Sequence, residues 1–159
     1  SSAASDVYKR QEYICKRFEN TGKHISPELA EEICRLVDNH SSYVQQLSWL
    51  LWIRTINTAT TEQLSYALED LLDQNNILFQ SETENLSAYQ MNFLKAIVDG
   101  IHTKFSSKEV ISKYNLGTSA NIVRLKNALL QKELIETNGK EIVLADPVFE
   151  VWFKKEMLY

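Results

Sequence analysis

Glycine and proline are scarce in this chain, with four and two among 159 residues. So few of either leave little room for tight turns and hairpins, and helix is favoured. The two cysteines, Cys15 and Cys34, have no C-x-x-C spacing and no histidine pattern beside them. That excludes a metal finger or a disulfide framework, and they read better as two reduced thiols than as a bridge. No apolar run reaches the ~18 residues needed to span a bilayer. The longest candidate, Leu47 to Ile53, is interrupted by Ser48 and stopped by Arg54. With no signal-peptide pattern either, the expectation is a cytoplasmic protein without a membrane partner.

Catalytic signatures are missing as well. There is no G-x-x-x-x-G-K-[ST] loop, and Gly22-Lys23 reads as a helix-ending turn. No H-E-x-x-H, His–Cys ligand set or G-x-S-x-G elbow occurs. His24, His40 and His102 are dispersed, each at a predicted helix boundary. Glu31-Glu32 and Glu69-Asp70 are consecutive, so their carboxylates point to different sides of a helix. The chain itself is therefore expected to hold no metal and to catalyse nothing.

What remains is an ordinary globular composition, 44% hydrophobic and 24% charged. Its net charge of −4 is unevenly spread. Residues 1–86 carry seven basic and thirteen acidic side chains, and residues 87–159 carry ten and eight. An acidic module followed by a mildly basic one is implied. An excess of two cations is too small to assert nucleic-acid binding by itself.

Local signals place the elements. Residues 1–11 lack an initial Met and resemble a non-native leader, so order is expected from Glu12. Tyr13, Ile14, Arg17 and Phe18 have helical spacing up to Asn20-Thr21-Gly22. Ser26, Pro27 and Glu28 mark the next helix start, with Leu29, Ile33, Leu36 and Val37 as its stripe. A third helix, about Tyr43 to Ile56, follows hydroxyl caps at Ser41-Ser42. Trp49, Trp52 and Ile53 widen the stripe of Val44, Leu47, Leu50 and Leu51, which predicts a helix buried on most sides. A fourth runs from Glu62 to about Phe79, and polar Ser81 to Asn85 reads as a linker.

Ser87 with Gln90 predicts a capping box on the next helix. A short helix, Lys108 to Tyr114, and the turn Asn115-Leu116-Gly117-Thr118 lead to a longer helix with Ile122, Leu125 and Leu129 inward. Asn138-Gly139 between two short apolar runs signals a β-hairpin, and Asp146-Pro147 starts a last helix. Helix, helix, turn, helix, hairpin is the order of a winged helix. The expected fold class is thus mainly α, a four-helix bundle over 12–80 and a winged-helix domain over 86–159. On the longer helix, Asn121, Arg124, Asn127 and Gln131 lie opposite the inward residues, with Lys126 and Lys132 flanking and Lys140 in the wing. Amides and a cation are the groups that read base edges and phosphates, so these are candidate DNA contacts; with one cation on that face, a solvated helix in a winged helix that packs against protein is the favoured reading.

Four segments carry a family resemblance. Asn39-His40-Ser41-Ser42-Tyr43-Val44-Gln45-Gln46-Leu47 is similar to N-H-P-Y-Y-V-Q-x-L of the archaeal-type AAA-like ATPases of the STAND/AAA+ group. Leu86 to Gln90 resembles their L-T-x-x-Q helix start, and Tyr114 to Ser119 their Y-x-L-G-S-S turn. Asp146 to Phe153 resembles their D-P-x-F-x-x-W-[LF] ending, the most specific of the four. The resemblance implies an ATP- and Mg-binding P-loop domain in cis, upstream of this chain, with a helical lid and a winged helix here. It makes His40, Ser41 and Tyr43 candidate nucleotide-binding residues of the lid, with Ser41 where the family has Pro. Two other classes stay open: a free-standing winged-helix transcription regulator with a helical dimerisation domain, and a pure protein-interaction module.

Overall fold

Ser26 caps the second helix through its hydroxyl, which accepts from the Leu29 N–H at 3.1 Å, and Pro27 occupies the first helical position. This is the local chemistry expected of a Ser-Pro-Glu start. The computed structural model describes residues 2–158. Its elements are α1 Ser2–Asn20, α2 Pro27–Leu36, α3 Ser41–Arg54, α4 Thr61–Glu84, α5 Ala88–Val98, α6 Lys108–Tyr114, α7 Ser119–Gln131, β1 Ile135–Asn138, β2 Glu141–Leu144 and α8 Pro147–Met157. No helix among the described residues is long and apolar enough to cross a membrane. They fall into two compact units, one up to Asn75 and one from Asn76.

In the first unit α1 packs on α2 and α2 on α3. Ile14, Phe18, Leu29, Ile33, Val44, Leu47, Leu51, Leu64 and Leu71 are buried. The turn after α1 is tied down by Lys23, whose ammonium donates to the Trp52 carbonyl at 2.8 Å and lies 3.9 Å from the centre of its indole. The Trp52 Nε1–H donates in turn to the Thr21 hydroxyl at 2.8 Å. His24 bridges the loop after α3, donating its N–H to Asn57 and accepting from Ala59, both at 2.8 Å. A reciprocal capping box opens α4: the Thr60 hydroxyl accepts from the Gln63 N–H, and the Gln63 side chain accepts from the Thr60 N–H.

Several expectations need correcting here. The leader ending at residue 11 is helical from Ser2 onward as part of α1, because 3–11 hold no Gly or Pro, and Arg10 anchors it by donating to the Asn39 carbonyl at 2.9 Å. The linker at 81–85 is absent as such: α4 is helical to Glu84, and Phe79 and Thr83, one turn apart, are buried. The units therefore part at Asn75/Asn76, inside α4. Ser41 and Ser42 do not cap α3; they are its first two residues, His40 is the N-cap, and it makes no side-chain capping bond. Trp49 and Ile53 are not buried but 59% and 49% exposed.

The second unit is built around Trp152, Phe153, Phe149, Phe93 and Phe79. Phe79 meets Phe149 edge-on at 5.3 Å and Trp152 at 5.6 Å between ring centres. The Trp152 N–H, which burial would otherwise leave unpaired, donates to Asn76 Oδ1 at 2.8 Å. Ser87 and Gln90 form the predicted capping box on α5. Asp146 caps α8 by accepting from both Val148 and Phe149 N–H groups.

β1 and β2 pair antiparallel from Ile135↔Leu144 to Asn138↔Glu141. That register makes Gly139-Lys140 the two-residue turn, one residue later than Asn138-Gly139. Only Gly139 of the two has a positive φ, +64°, which is the pattern of a II′ turn. The segment before α6 joins this ribbon at one point. Ile142 donates its N–H to the His102 carbonyl, and the Ile142 carbonyl lies 2.9 Å from His102 Nδ1.

Candidate functional site

The turn between α6 and α7 sets the outward face of the second unit. Ser107 caps α6 by accepting from Val110. Asn115 ends it in the left-handed conformation, φ +53°, which asparagine tolerates better than most residues. Its carbonyl accepts from Asn92 Nδ2 at 3.0 Å. Leu116 is fully buried, and Gly117 then turns the chain at φ +86°. A Cβ at Gly117 would stand 3.0 Å from Asn121 Nδ2 and 3.4 Å from the Tyr89 ring, so only glycine fits without displacement. Tyr114 closes the other side, its hydroxyl donating to the Asp99 carboxylate. Burial, followed by that hydrogen bond and the Asp99 charge, pushes the phenol up to about 12.

α7 buries Ile122, Leu125 and Leu129 and so presents the opposite side to solvent. Arg124, Asn127 and Gln131 are exposed there, as is Lys140 at the hairpin turn. Asn121 is half-buried and lies against Gly117. Val123, which the sequence reading does not single out, is 64% exposed on the same face.

A further feature is electrostatic. From Val110 to Lys132 the chain contains Lys113, Arg124, Lys126 and Lys132 and no carboxylate. Among the described residues none of these four cations forms an ion pair. Carboxylates return in the wing, where Glu133, Glu136 and Glu141 are exposed around the single cation Lys140. The stretch from Val110 to Lys132 is thus basic and the wing acidic, a polarity that a net charge over 87–159 averages away.

In the first unit, His40, Ser41 and Tyr43 sit together at the start of α3. His40 and Ser41 are exposed and Tyr43 is half-buried. The His40 and Tyr43 rings are 4.9 Å apart at 45°. Two successive left-handed residues, Asp38 and Asn39, precede them and fix the direction of the turn. This small aromatic and hydroxyl cluster lies beside Arg10, whose guanidinium donates to the Asn39 carbonyl. No set of three His, Cys, Asp or Glu among the described residues could hold a metal ion. In the second unit Ser81, Glu82, Asn85, Lys132 and Leu134 line an open cleft, where burial and then Asp146 hold the Glu82 carboxyl above its ordinary range.

Residues 77–155 match the family model described as "probable winged helix domain". The second unit is a winged helix. Its matched region begins with the C-terminal part of α4, in agreement with the burial of Phe79 among α8 side chains. No curated protein matches the chain. The solved structure of a Walker-type ATPase of Pyrococcus abyssi is similar over 91% of this chain and 41% of that one, with 19% identity and a TM-score of 0.68. At that identity the likeness is one of fold. This chain spans about two fifths of the length of that ATPase.

Proposed function

We propose that this chain is the non-catalytic C-terminal region of an ATP-binding P-loop ATPase of the AAA-like, STAND/AAA+ type. The first unit is its helical lid, and the winged helix passes the nucleotide state to a macromolecule. The observation that carries this reading is the extent of the likeness to the Walker-type ATPase. A match over 91% of the chain takes in most of the first unit together with the winged helix, in one order. The motif segments at 39–47, 86–90, 114–119 and 146–153 follow the same order and support it. ATP and Mg would be held by the P-loop domain in cis, with His40, Ser41 and Tyr43 toward the adenine. The decisive observation is the reading frame upstream of Glu12. A G-x-x-x-x-G-K-[ST] loop there is the expected result, and a parent frame without one refutes the assignment.

For the winged helix, duplex DNA is the partner the surface supports best. In a helix-turn-helix the second helix enters the major groove, and Arg124, Asn127 and Gln131 are the side-chain types that pair with guanine and adenine edges there. Besides Arg124, the carboxylate-free stretch supplies Lys113, Lys126 and Lys132 for phosphates, which predicts a log–log salt slope of about −3. Anisotropy of a labelled duplex across a salt series measures it. Lys126→Ala should reduce the slope by about one, and Arg124→Ala should relax the base preference. Binding that is absent at low salt refutes the reading. Protein contact is the second reading, favoured by exposed Val123 on α7 and by the acidic wing.

A further inference from the structure

α3 is covered on one side, and on the other it turns Ser42, Gln45 and Gln46 to solvent in its first half and Trp49 and Ile53 in its second. Val44, Leu47, Leu50 and Leu51 are buried within the first unit. Trp49 and Ile53 stand one turn apart on the opposite side, 59% and 49% exposed, and Ile56 just past the helix end is 81% exposed. Arg54 extends this surface: its guanidinium lies 5.5 Å from the Tyr66 ring and is held by both Asp70 oxygens, at 2.7 and 2.9 Å. Through the whole of Ser41–Arg54 no other charged residue occurs. The first half of the solvent side is polar and meets water. From Trp49 onward it presents Trp49, Ile53 and Ile56, and an apolar patch of that kind is ordinarily covered by a second layer. The first unit provides one layer.

We propose that the Trp49–Ile53–Ile56 stripe is the seat of the upstream P-loop domain of the same polypeptide. This rests on the ATPase reading above and deepens it by naming the surface. The size of the patch selects the occupant. Trp49, Ile53, Ile56 and Tyr66 together expose on the order of 400 Å², taking a whole aromatic side chain as ~200 Å². A stable dimer needs about 800 Å² per partner, roughly twice that. An interface between domains of one chain suffices with ~600–1,500 Å² in total, because the tether supplies an effective concentration in the millimolar range. The Walker-type ATPase is more than twice as long as the part this chain matches, so that fold has room for such a layer outside the matched part. The lack of charge on α3 calls for an apolar counter-surface.

Acrylamide quenching of tryptophan tests this in the parent protein and in the 159-residue chain. Subtracting the Trp49→Phe signal isolates Trp49 from Trp52 and Trp152. Trp49 should be freely quenched in the chain alone and protected several-fold in the parent. Ile53→Lys, at an exposed position, should leave the unfolding midpoint of the chain alone unchanged and restore quenching in the parent. ATP binding by the parent is measured alongside with a fluorescent analogue. A parent that binds ATP while its Trp49 stays as quenchable as in the chain alone overturns the docking surface and leaves the ATPase reading standing. A parent that binds no ATP overturns both. Concentration-dependent protection of Trp49 in the isolated chain assigns the stripe to a second copy and overturns the proposal.

Discussion

Phe79→Ala probes the placement of the end of α4 in the winged-helix core. Phe79 is 1% exposed and touches two other rings, Phe149 at 5.3 Å and Trp152 at 5.6 Å. Truncating a fully buried phenylalanine costs about 3–5 kcal/mol, of which each aromatic pair accounts for about 0.5–1.5 kcal/mol. Set against the ~5–15 kcal/mol of a typical domain, that is a large share of its stability. At roughly 4–8 °C per kcal/mol for a unit of this size, the midpoint should fall by more than ~10 °C. The neighbouring Leu78, 57% exposed, is the control, and Leu78→Ala should stay within about 0.5 kcal/mol of the parent. Urea unfolding, with amide exchange followed in α5 to α8, reads both variants. A Phe79→Ala cost no larger than that of Leu78→Ala would refute the account, since α4 would then contribute nothing beyond Asn75 to the second core.

Gly117→Ala should cost about 1–2 kcal/mol, because the backbone is left-handed and the added methyl meets Asn121 and Tyr89. Denaturant midpoints check it, and an unchanged midpoint would show that the α6–α7 turn relaxes freely. Tyr114 makes stability depend on alkaline pH. Its phenol is raised to about 12 in the folded chain, so its contribution is complete below the ordinary pKa near 10. Between pH 10 and 12 the unfolded chain loses this proton while the folded chain keeps it, so stability falls as pH rises and the contribution is gone above 12. Phenolate absorbance and stability measured over that range should both change with Tyr114→Phe, which removes this part of the slope; identical pH profiles would contradict the Asp99 contact.

Where local chemistry decides the outcome, the residues announce it. Ser26-Pro27, Ser87 with Gln90 and Asp146-Pro147 each satisfy helix-start N–H groups with their own side chains, so α2, α5 and α8 begin as predicted. The hairpin follows from Gly139, with its turn one residue later because the ladder extends to Asn138↔Glu141. Less legible is whatever depends on distant partners. Ser81 to Glu84 are polar because one face of α4 meets water, and polarity alone does not distinguish that from a linker; Phe79 and Thr83 buried one turn apart are the missing signal. Trp49 and Ile53 look like core because apolar side chains at helical spacing do not by themselves distinguish a covered face from an exposed one. On α7, a 100° rotation per residue is enough to expect Arg124, Asn127 and Gln131 outward. The half-burial of Asn121 is set instead by the approach of Gly117 across the turn. The carboxylate-free stretch is visible in the sequence, but only when charge is read element by element.

The most direct measurement of the central claim is the affinity of the parent protein for duplex DNA with ATP, with ADP and with no nucleotide. If the first unit is a lid and the winged helix reports its state, affinity should differ several-fold between the ATP and ADP forms. Equal affinity in all three conditions would contradict the coupling.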